Sequence, residues 1–390
     1  MIPYSKQTIT FFDAIYVAMQ VRFKSLTQGK EIQKFEESVA KYVGAKFAVA
    51  VSSATAGLHL SHLALGVPLG SKVVTSPISF VASANSILYA GLVPVFIDVE
   101  IETGNISTEK LSETLREEKI STVVPVHYAG APCNMKTISK ICKEKKVYII
   151  EDAAHALGGN YESGEKIGSC KYSDITVFSF HPVKSITTGE GGMITTNSEE
   201  IYYKLLKLRS HGIQKNGTQF QNPILGNTNG KPNPWYYEMD SMGYHYRMTE
   251  IQAALGYSQM KKIDKFINKR KKLAVRYDRL TSENKYFKSI QQNTRMLSAN
   301  HLYPIQIDFT KISKSRNEIM LKLREKGVVT QVHYLPIPLH SYYEKLCYST
   351  YNLPNAMNFC FQILSIPIYP NLGKFTQNKV LKYLEKILSE

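Results

Sequence analysis

The sequence predicts an α/β protein in which a large domain with a mostly parallel mixed sheet, residues 1–255, precedes a smaller α+β domain, residues 256–390. Three observations predict it. Short β-branched runs recur roughly every 20 to 28 residues between about residues 45 and 200. These runs are continuously apolar, which is typical of strands covered on both faces. Beyond about residue 255 the runs become fewer and helical patterns dominate.

The helical patterns between the runs favour a parallel sheet, because two neighbouring parallel strands need a long connection, which is usually a helix. Amphipathic patterns predict helices at 11–24, 30–43, 55–66 and 79–90, of which the last two are crossovers. The predicted strands of the large domain are Phe47–Val51, Lys72–Thr75, Val93–Asp98, Thr122–His127, Val147–Glu151, Ile175–Phe180 and Gly192–Thr195.

The second half of the chain is less regular. Residues 213–243 are rich in Asn, Gly and Pro, and we expect a long excursion without regular structure there. One long helix is predicted over about 248–282. The predicted elements that follow are strands at Leu302–Phe309 and Val328–Tyr334 and helices near 314–326, 354–364 and 376–388.

Composition excludes several protein classes. Hydrophobic residues make up 43% and charged residues 21% of 390 residues, which is typical of a globular protein. Apolar stretches fall short of the roughly 18 residues that cross a bilayer, and the first residues lack a secretory signal, so we expect no membrane span and a cytoplasmic location. Five scattered cysteines without a C-x-x-C pair predict neither a disulfide framework nor a metal site.

The formal net charge of +16 favours anionic ligands. Much of the excess lies in helical stretches such as Lys261–Arg276, where it is typical of a solvated helix face and adds a field that suits a phosphorylated substrate. A nucleic-acid-binding or regulatory protein would instead combine arginines and aromatic residues in a recognised module. The sequence contains no such module, so we expect no nucleic-acid partner.

Three predicted strands end in residues with unusual chemistry. Ligands of an open parallel sheet bind beyond the carboxyl ends of its strands. Asp152 follows one buried run, and Lys184 lies in a Ser-, Thr- and Gly-rich turn after another. Residues 52–57, Ser-Ser-Ala-Thr-Ala-Gly, open a helix whose free N–H groups suit an anion. One edge of the sheet therefore offers a carboxylate, an amine and an anion cradle.

This combination fits pyridoxal 5′-phosphate (PLP). PLP needs a lysine for a Schiff base, an acid that keeps the ring nitrogen protonated, and a cup for its phosphate. Phe80, after a further strand, can stack on the ring. Taken singly, these residues are typical of a helix cap, a turn, a surface lysine and a core aromatic residue. The prediction depends on their joint occurrence at one edge.

At these residues the chain resembles the DegT/StrS-type nucleotide-sugar aminotransferases over nearly its whole length. The resemblance implies the PLP-dependent transferase fold of the aspartate-aminotransferase type, known as fold type I. Within the family, the motifs are most similar to the pseudaminic-acid branch. They are Leu26–Gly29, Ser76–Ala82, His127–Gly130, His155–Gly158, Ser179–His181, Arg209–Gly212 and Gln331–Tyr334.

The resemblance also implies roles for individual residues. Lys184 would bind PLP covalently and then move the proton, and Asp152 would hold the proton on the ring nitrogen. The cofactor-binding residues implied are Ala54, Thr55, Ala56, Phe80, Asp152, His155, Ser179, Lys184 and His245. The substrate-binding residues implied are Tyr4, Lys24, Ser25, Leu26, Thr27, Gln331, Val332, His333 and Tyr334.

One position departs from the family pattern. His245 stands where the family usually has Asn, a side chain that reaches across a homodimer to the neighbour's PLP phosphate. An imidazole can still donate a hydrogen bond there. The resemblance therefore implies a homodimer with shared active sites, and a changed contact at residue 245.

The implied reaction is a ping-pong transamination. L-Glutamate donates the amino group and a UDP-linked 4-keto-6-deoxy-N-acetylhexosamine, as in pseudaminic acid biosynthesis, accepts it. The same transamination on the 4-keto precursor of perosamine, viosamine or bacillosamine is the alternative. PLP-dependent sugar dehydratases of this fold typically have His in place of the Schiff-base lysine, and Lys184 disfavours that activity.

Overall fold

A seven-stranded mixed sheet forms the centre of the larger part of the chain in the computed structural model, which describes residues 1–215 and 220–390. The strands lie in the order β1-β7-β6-β5-β4-β2-β3. All neighbouring pairs are parallel except those of β7, which is antiparallel to β1 and β6. The predicted α/β fold with a mostly parallel sheet is confirmed. The strands are β1 Phe47–Val51, β2 Lys72–Thr75, β3 Val93–Phe96, β4 Ile120–Val124, β5 Tyr148–Asp152, β6 Ile175–Ser179 and β7 Gly192–Thr196.

Helices cover both faces of this sheet, and local signals set their ends. The Thr10 hydroxyl and the Asp13 carboxylate form a capping box at the start of the first helix. Gly44 ends the second helix with a φ of 81°, a left-handed conformation that favours glycine. The helices of this part are α1 Phe11–Phe23, α2 Lys30–Val43, α3 Ala54–Leu65, α4 Ala82–Tyr89, α5 Thr108–Glu117, α6 Met135–Lys145 and α7 Glu199–Leu208, with a 3₁₀ turn at Tyr128–Gly130.

The predicted excursion at 213–243 is wrong in part, because short elements form within it. Two-residue ladders pair β8 with β11 and β9 with β10. The Glu238 carboxylate accepts the N–H groups of Gln221 and Asn222, both at 2.7 Å, which ties the segment together. Residues 216–219 of the predicted excursion lie outside the described residues. The elements are β8 Ile213–Gln214, α8 Pro223–Gly226, β9 Asn227–Thr228, β10 Lys231–Pro232 and β11 Glu238–Met239.

The single helix predicted over 248–282 is wrong, since two helices form, α9 Glu250–Met260 and α10 Ile263–Thr281. Lys262, between them, has a φ of −120° and a ψ of 2°, outside the helical region. Its ammonium donates to Thr10 and forms an ion pair with buried Asp13 at the start of α1. This ion pair with a residue far away in the chain therefore lies at the point where α9 ends and α10 begins.

The C-terminal part contains a three-stranded antiparallel sheet in the order β12-β13-β14. The predicted strand Val328–Tyr334 is wrong. It makes only isolated bridges, Val328 with Ile2 and Gln331 with Ser365, and two partners at single residues do not make a ladder. The elements are β12 Phe287–Ser289, β13 Tyr303–Ile307, α11 Arg316–Glu325, α12 Ser341–Lys345, α13 Pro354–Gln362, β14 Ile363–Ile366 and α14 Lys374–Ser389, with 3₁₀ turns at Gln292–Thr294 and Ile337–Leu339.

Helix α10 connects two hydrophobic cores. Phe266 and Ile267 in its first half pack into the core beneath the large sheet. Leu273 and Tyr277 in its second half pack into the core of the small sheet. The predicted domain boundary at 255 and 256 lies within α9, one helix earlier, and it stays a prediction. Within 1–215 and 220–390, no helix is long and apolar enough to span a membrane.

Candidate active site

A cavity of about 800 Å³ opens where β5 and β6 end and α3 begins. It lies at the sheet edge where the sequence predicted a ligand site, because parallel strands share that edge. The structure brings most of the predicted site residues together there. Those that line the cavity are Tyr4, Ala54, Thr55, Phe80, Asp152, His155, Ser179, Lys184, Gln331, Val332, His333 and Tyr334.

Asp152, the last residue of β5, is a buried carboxylate on the cavity wall. It accepts hydrogen bonds from the Ser83 hydroxyl at 2.6 Å and the Ala154 N–H at 3.1 Å. Among the described residues, no cationic side chain forms an ion pair with it. A buried carboxylate is costly unless a cation meets it, so this wall is suited to a protonated ligand group.

Lys184 lies in the turn after β6 and lines the same cavity, half-buried. Its backbone N–H donates to the carbonyl of His181 at 2.9 Å, which fixes the turn. Burial lowers the pKa of the Lys184 amine to about 8, although the negative charge of Asp152 acts in the opposite direction. Near neutral pH about a tenth of this amine is therefore uncharged and able to act as a nucleophile or base.

The N-terminus of α3 forms the anion-binding wall. The Ser53 hydroxyl caps the helix and accepts the N–H of Ala56 at 3.1 Å, so Ala56 lies behind the cap. Within the described residues, the N–H groups of Ala54 and Thr55 have no hydrogen-bond partner, as is usual in a first helical turn. With the Ser179 hydroxyl beside them, these groups suit a phosphate.

Gly192 allows α3 to approach the sheet this closely. A Cβ atom at this position would lie 2.6 Å from the Ser53 carbonyl carbon and 2.7 Å from the Ala54 nitrogen, both backbone atoms. We therefore expect Gly192→Ala to displace the start of α3 and to lower the free energy of unfolding by about 1–3 kcal/mol. Equilibrium unfolding in urea measures this change in the free energy of unfolding.

The matched control for that substitution is Gly373→Ala. Gly373 has a φ of −74°, and its nearest neighbour to an added Cβ is a side-chain atom at 3.9 Å. We expect a smaller loss of unfolding free energy for this control, because no backbone atom is displaced and only the lower N-cap preference of Ala at the start of α14 acts. Equal stability of the two variants would contradict the packing argument for Gly192.

An aromatic wall stands beside the two charged residues. His155 and Tyr334 share a hydrogen bond of 3.0 Å between Nε2 and the hydroxyl oxygen, and their rings are nearly parallel with centroids 6.0 Å apart. Burial lowers the pKa of His155 well below its ordinary value, and the charge of Lys184 adds to the effect, so the imidazole is neutral. The Phe80 ring lies 6.5 Å from that of Tyr334 and is 60% exposed, which leaves it able to contact a ligand.

The segment Gln331–Tyr334 forms another wall with the N-terminal Tyr4. The Tyr4 and His333 ring centroids are 5.3 Å apart. His333 is buried and its Nδ1 lies 2.9 Å from the Ser365 hydroxyl. Burial lowers its pKa to about 3, so it presents a neutral ring. This wall provides aromatic surface and hydrogen-bonding groups rather than charge.

Six predicted site residues do not line the cavity, namely Ala56, described above, and five residues of two other segments. The Lys24 ammonium forms an ion pair of 2.9 Å with Glu31. Exposed His245 stacks on His211, with ring centroids 5.2 Å apart. The predicted roles of Lys24 to Thr27 in substrate binding and of His245 in phosphate binding stay predictions. The five residues are Lys24, Ser25, Leu26, Thr27 and His245.

Sequence reasoning missed several residues of the site. Ser83 hydrogen-bonds Asp152 directly, yet in the sequence it is only a serine in the first turn of a crossover helix. The sequence did indicate that Glu190 could belong to the site, since it lies in the same Gly-rich turn as Lys184. The cavity-lining residues to which no role was assigned include His181, Glu190, Leu335 and His340.

The groups present fit PLP. An unpaired buried carboxylate would face the protonated ring nitrogen, a half-buried amine of lowered pKa would bind the aldehyde carbon, and a helix N-terminus would receive the phosphate.

Comparison with known proteins agrees with this assignment. The family model described as DegT/DnrJ/EryC1/StrS aminotransferase family matches residues 11–385. The chain is 37% identical to the UDP-4-amino-4,6-dideoxy-N-acetyl-β-L-altrosamine transaminase of Campylobacter jejuni, over 99% of this chain and 98% of that one. It is 36% identical to the spore coat polysaccharide biosynthesis protein SpsC of Bacillus subtilis, over 99% and 97% of the two chains.

A solved structure extends the comparison. PseC of Helicobacter pylori, an aminotransferase involved in the biosynthesis of pseudoaminic acid, superimposes with a TM-score of 0.90 at 33% identity, over 100% of this chain and 99% of that one. Sugar aminotransferase structures of the same fold are known in PLP and pyridoxamine 5′-phosphate (PMP) forms. The predicted fold type, the PLP cofactor and the aminotransferase activity are therefore confirmed. The chain belongs to the DegT/DnrJ/EryC1/StrS aminotransferase family and is a PLP-dependent sugar aminotransferase.

Proposed function

We propose that the enzyme transfers an amino group from L-glutamate to C4 of a UDP-linked 4-keto-6-deoxy-N-acetylhexosamine, in pseudaminic acid biosynthesis. The expected acceptor is UDP-2-acetamido-2,6-dideoxy-β-L-arabino-hex-4-ulose. The observation that carries the proposal is the 37% identity, over 99% of the chain, with a transaminase named for the product of that reaction. The resemblance of the PseC structure adds support.

Lys184 and Asp152 have different roles in the transfer of the amino group. Bound PLP supplies an electron sink that stabilises negative charge on the carbon attached to the migrating nitrogen. Asp152, oriented by hydrogen bonds from the Ser83 hydroxyl and the Ala154 N–H, would hold the protonated ring nitrogen. Lys184, with a pKa of about 8, can take up and return a proton near neutral pH.

The remaining walls orient the two ligands. The free N–H groups of Ala54 and Thr55 and the Ser179 hydroxyl would hold the phosphate. Tyr4 and the segment 331–334 would contact the UDP-sugar, because their rings and amide suit a base and a sugar. The neutral His155 and Tyr334, linked by a hydrogen bond, line another side of the site.

We also propose a homodimer in which each copy completes the other's site. Support comes from α1, which exposes an apolar stripe with helical spacing. His245 of each copy would donate to the neighbour's phosphate in place of the usual Asn. Lys24 to Thr27 follow α1 and would contact the sugar nucleotide. The exposed apolar residues of this stripe are Phe11, Phe12, Ile15, Met19 and Phe23.

The alternative acceptor is another nucleotide-linked 4-keto sugar of the perosamine, viosamine or bacillosamine type. The observation that favours it is the 36% identity to SpsC, almost equal to that of the altrosamine transaminase. The residues that line the cavity suit each of these acceptors, because all of them present a C4 ketone and a diphosphate.

Product analysis tests both acceptors. Purified enzyme is incubated with PLP, L-glutamate and each UDP-, GDP- or dTDP-linked 4-keto sugar, and the amino sugar is identified by mass spectrometry and NMR. We expect turnover with the UDP-linked N-acetyl sugar and release of 2-oxoglutarate. Turnover confined to the 4-keto precursor of perosamine, viosamine or bacillosamine would overturn the proposal in favour of the alternative. The Lys184→Ala variant is the blank for non-enzymatic amination.

The lowered pKa of Lys184 predicts a pH dependence. The ammonium form cannot attack the PLP aldehyde, so the rate at which the apoenzyme captures PLP should rise with pH through about 8 and level off above it. Stopped-flow absorbance from about pH 6 to about pH 10, roughly two units on either side of this pKa, measures the rate. A rate that still rises steeply at the upper end of this range, toward the ordinary lysine pKa of 10.5, would contradict the lowered pKa of this amine.

A further inference from the structure

A second carboxylate lies one residue before Asp152, at Glu151. Successive side chains of a strand point to opposite faces, so Glu151 points away from the cavity that Asp152 lines. It is fully buried. It pairs in register with Thr176 of β6 and lies within the central part of the sheet. The reaction as derived above does not use this residue.

Glu151 is surrounded by side-chain donors. The Tyr161 hydroxyl lies 2.8 Å from each carboxylate oxygen, and the Thr176 hydroxyl donates to Oε1 at 3.0 Å. The Ser173 hydroxyl also donates to Oε1. His127 Nε2 lies 2.7 Å from Oε2. Four side chains thus use the acceptor sites of one carboxylate.

The charge state of His127 follows from its other nitrogen. Nδ1 accepts the backbone N–H of Cys133 at 3.1 Å, so Nδ1 carries no proton. The ring proton is therefore on Nε2, where it donates to Glu151, and the imidazole is neutral. Hydrogen bonds alone hold Glu151, because within the described residues no Lys or Arg forms an ion pair with it.

Within the described residues, neither carboxylate of β5 forms an ion pair with a Lys or Arg side chain. Burial raises the pKa of Glu151, whereas the hydrogen bonds from His127, Ser173 and Tyr161 lower it and stabilise the carboxylate. The other titratable groups near Glu151 are the Cys133 and Cys170 thiols, whose pKa values are raised by burial. Those that face Asp152 are Lys184 and Tyr334.

We propose that Glu151 is a positioning residue, whose buried negative charge acts through Asp152 to keep the cofactor's ring nitrogen protonated. A negative charge favours the protonated, positively charged form of the ring nitrogen, and few mobile water dipoles screen it in the sheet interior. The network also holds the end of β5 in place, which orients Asp152. The proposal rests on the PLP-dependent activity and not on the identity of the sugar.

The Glu151→Gln variant tests the charge. The Gln oxygen can accept from His127, and its amide nitrogen can donate to the Ser173 and Thr176 hydroxyls, which rotate to accept. The probe is PMP bound to the protein, because its absorbance reports ring-nitrogen protonation without a bond to Lys184. We expect the midpoint of its pH titration to fall by about one pH unit in this variant.

Two further variants separate charge from structure. Ser173→Ala removes one hydrogen bond and keeps the charge, so the melting temperature should fall while the titration midpoint stays unchanged. Glu151→Asp also keeps the charge, so its midpoint should stay unchanged too. Glu151→Ala removes the charge and carries the test if Glu151→Gln does not fold. An unchanged midpoint in Glu151→Gln, or a shifted midpoint in Ser173→Ala or Glu151→Asp, would overturn the proposal.

Discussion

Replacing Lys184 by Ala should lower turnover by about 10⁴-fold, because the same amine is the nucleophile and the proton carrier, and proton transfer alone contributes up to about that factor. The variant should also lose the visible absorbance of covalently bound PLP while still binding the cofactor through the phosphate site. Absorbance spectroscopy and a coupled assay of 2-oxoglutarate release measure the two effects.

Two controls refine the Lys184 result. Lys184→Arg keeps a positive charge beside Asp152 but cannot lose its proton, so it should be as inactive as Lys184→Ala. Lys204→Ala removes an exposed lysine of α7 that forms an ion pair with Glu200, and it should retain full activity. A yellow, active Lys184→Ala variant would refute the assignment of this residue.

Replacing Asp152 by Asn should lower turnover by about 10²–10³-fold, the range observed when one preorganised electrostatic contact is removed. The substitution suits the fold. The Asn oxygen can accept from the Ala154 N–H, and its amide nitrogen can donate to Ser83, whose hydroxyl can in turn donate to Ser79. Thermal unfolding should therefore change little, and PLP should still bind.

Ser83→Ala is the matched control for Asp152→Asn. It removes one hydrogen bond to the carboxylate and leaves the charge, so we expect less than about a tenfold loss of turnover. Single-turnover kinetics isolate the proton-transfer step from substrate binding. Near-normal turnover of Asp152→Asn would contradict a role for the negative charge of Asp152 in turnover. A loss in Ser83→Ala as large as that in Asp152→Asn would contradict it as well.

Much of the fold could be predicted because short-range patterns decide it. The runs at Phe47–Val51 and Lys72–Thr75 are buried on both faces, and their bounds match β1 and β2. Asp152 and Lys184 could be identified for a similar reason, since each comes directly after a strand or in the turn that follows it. Their joint position at one sheet edge follows from parallel topology.

The features that sequence reasoning missed depend on partners far away in the chain. The break at Lys262 accompanies an ion pair with Asp13, 249 residues earlier. The interruption of the predicted strand at Val328–Tyr334 reflects single bridges to Ile2 and Ser365. No periodicity of one segment contains such information, because it arises from packing between segments.

The hydrogen bonds around Glu151 could not be predicted from the sequence for the same reason. Glu151 is one residue of an apolar run in the sequence, and His127 is 24 residues away from it. Only the register of β5 with β6 brings Thr176 beside that carboxylate. The predicted contact of His245 with the phosphate depends on the homodimer proposed above, whose arrangement a single sequence does not specify.

The most direct test of the site is to identify the lysine that binds PLP. The holoenzyme is reduced with borohydride, digested and analysed by mass spectrometry, and the modified peptide is sequenced. The added mass of the reduced cofactor should lie on Lys184 alone and should disappear when L-glutamate is added before reduction. Modification of a different lysine, or reduction without any modified peptide, would contradict the site described here.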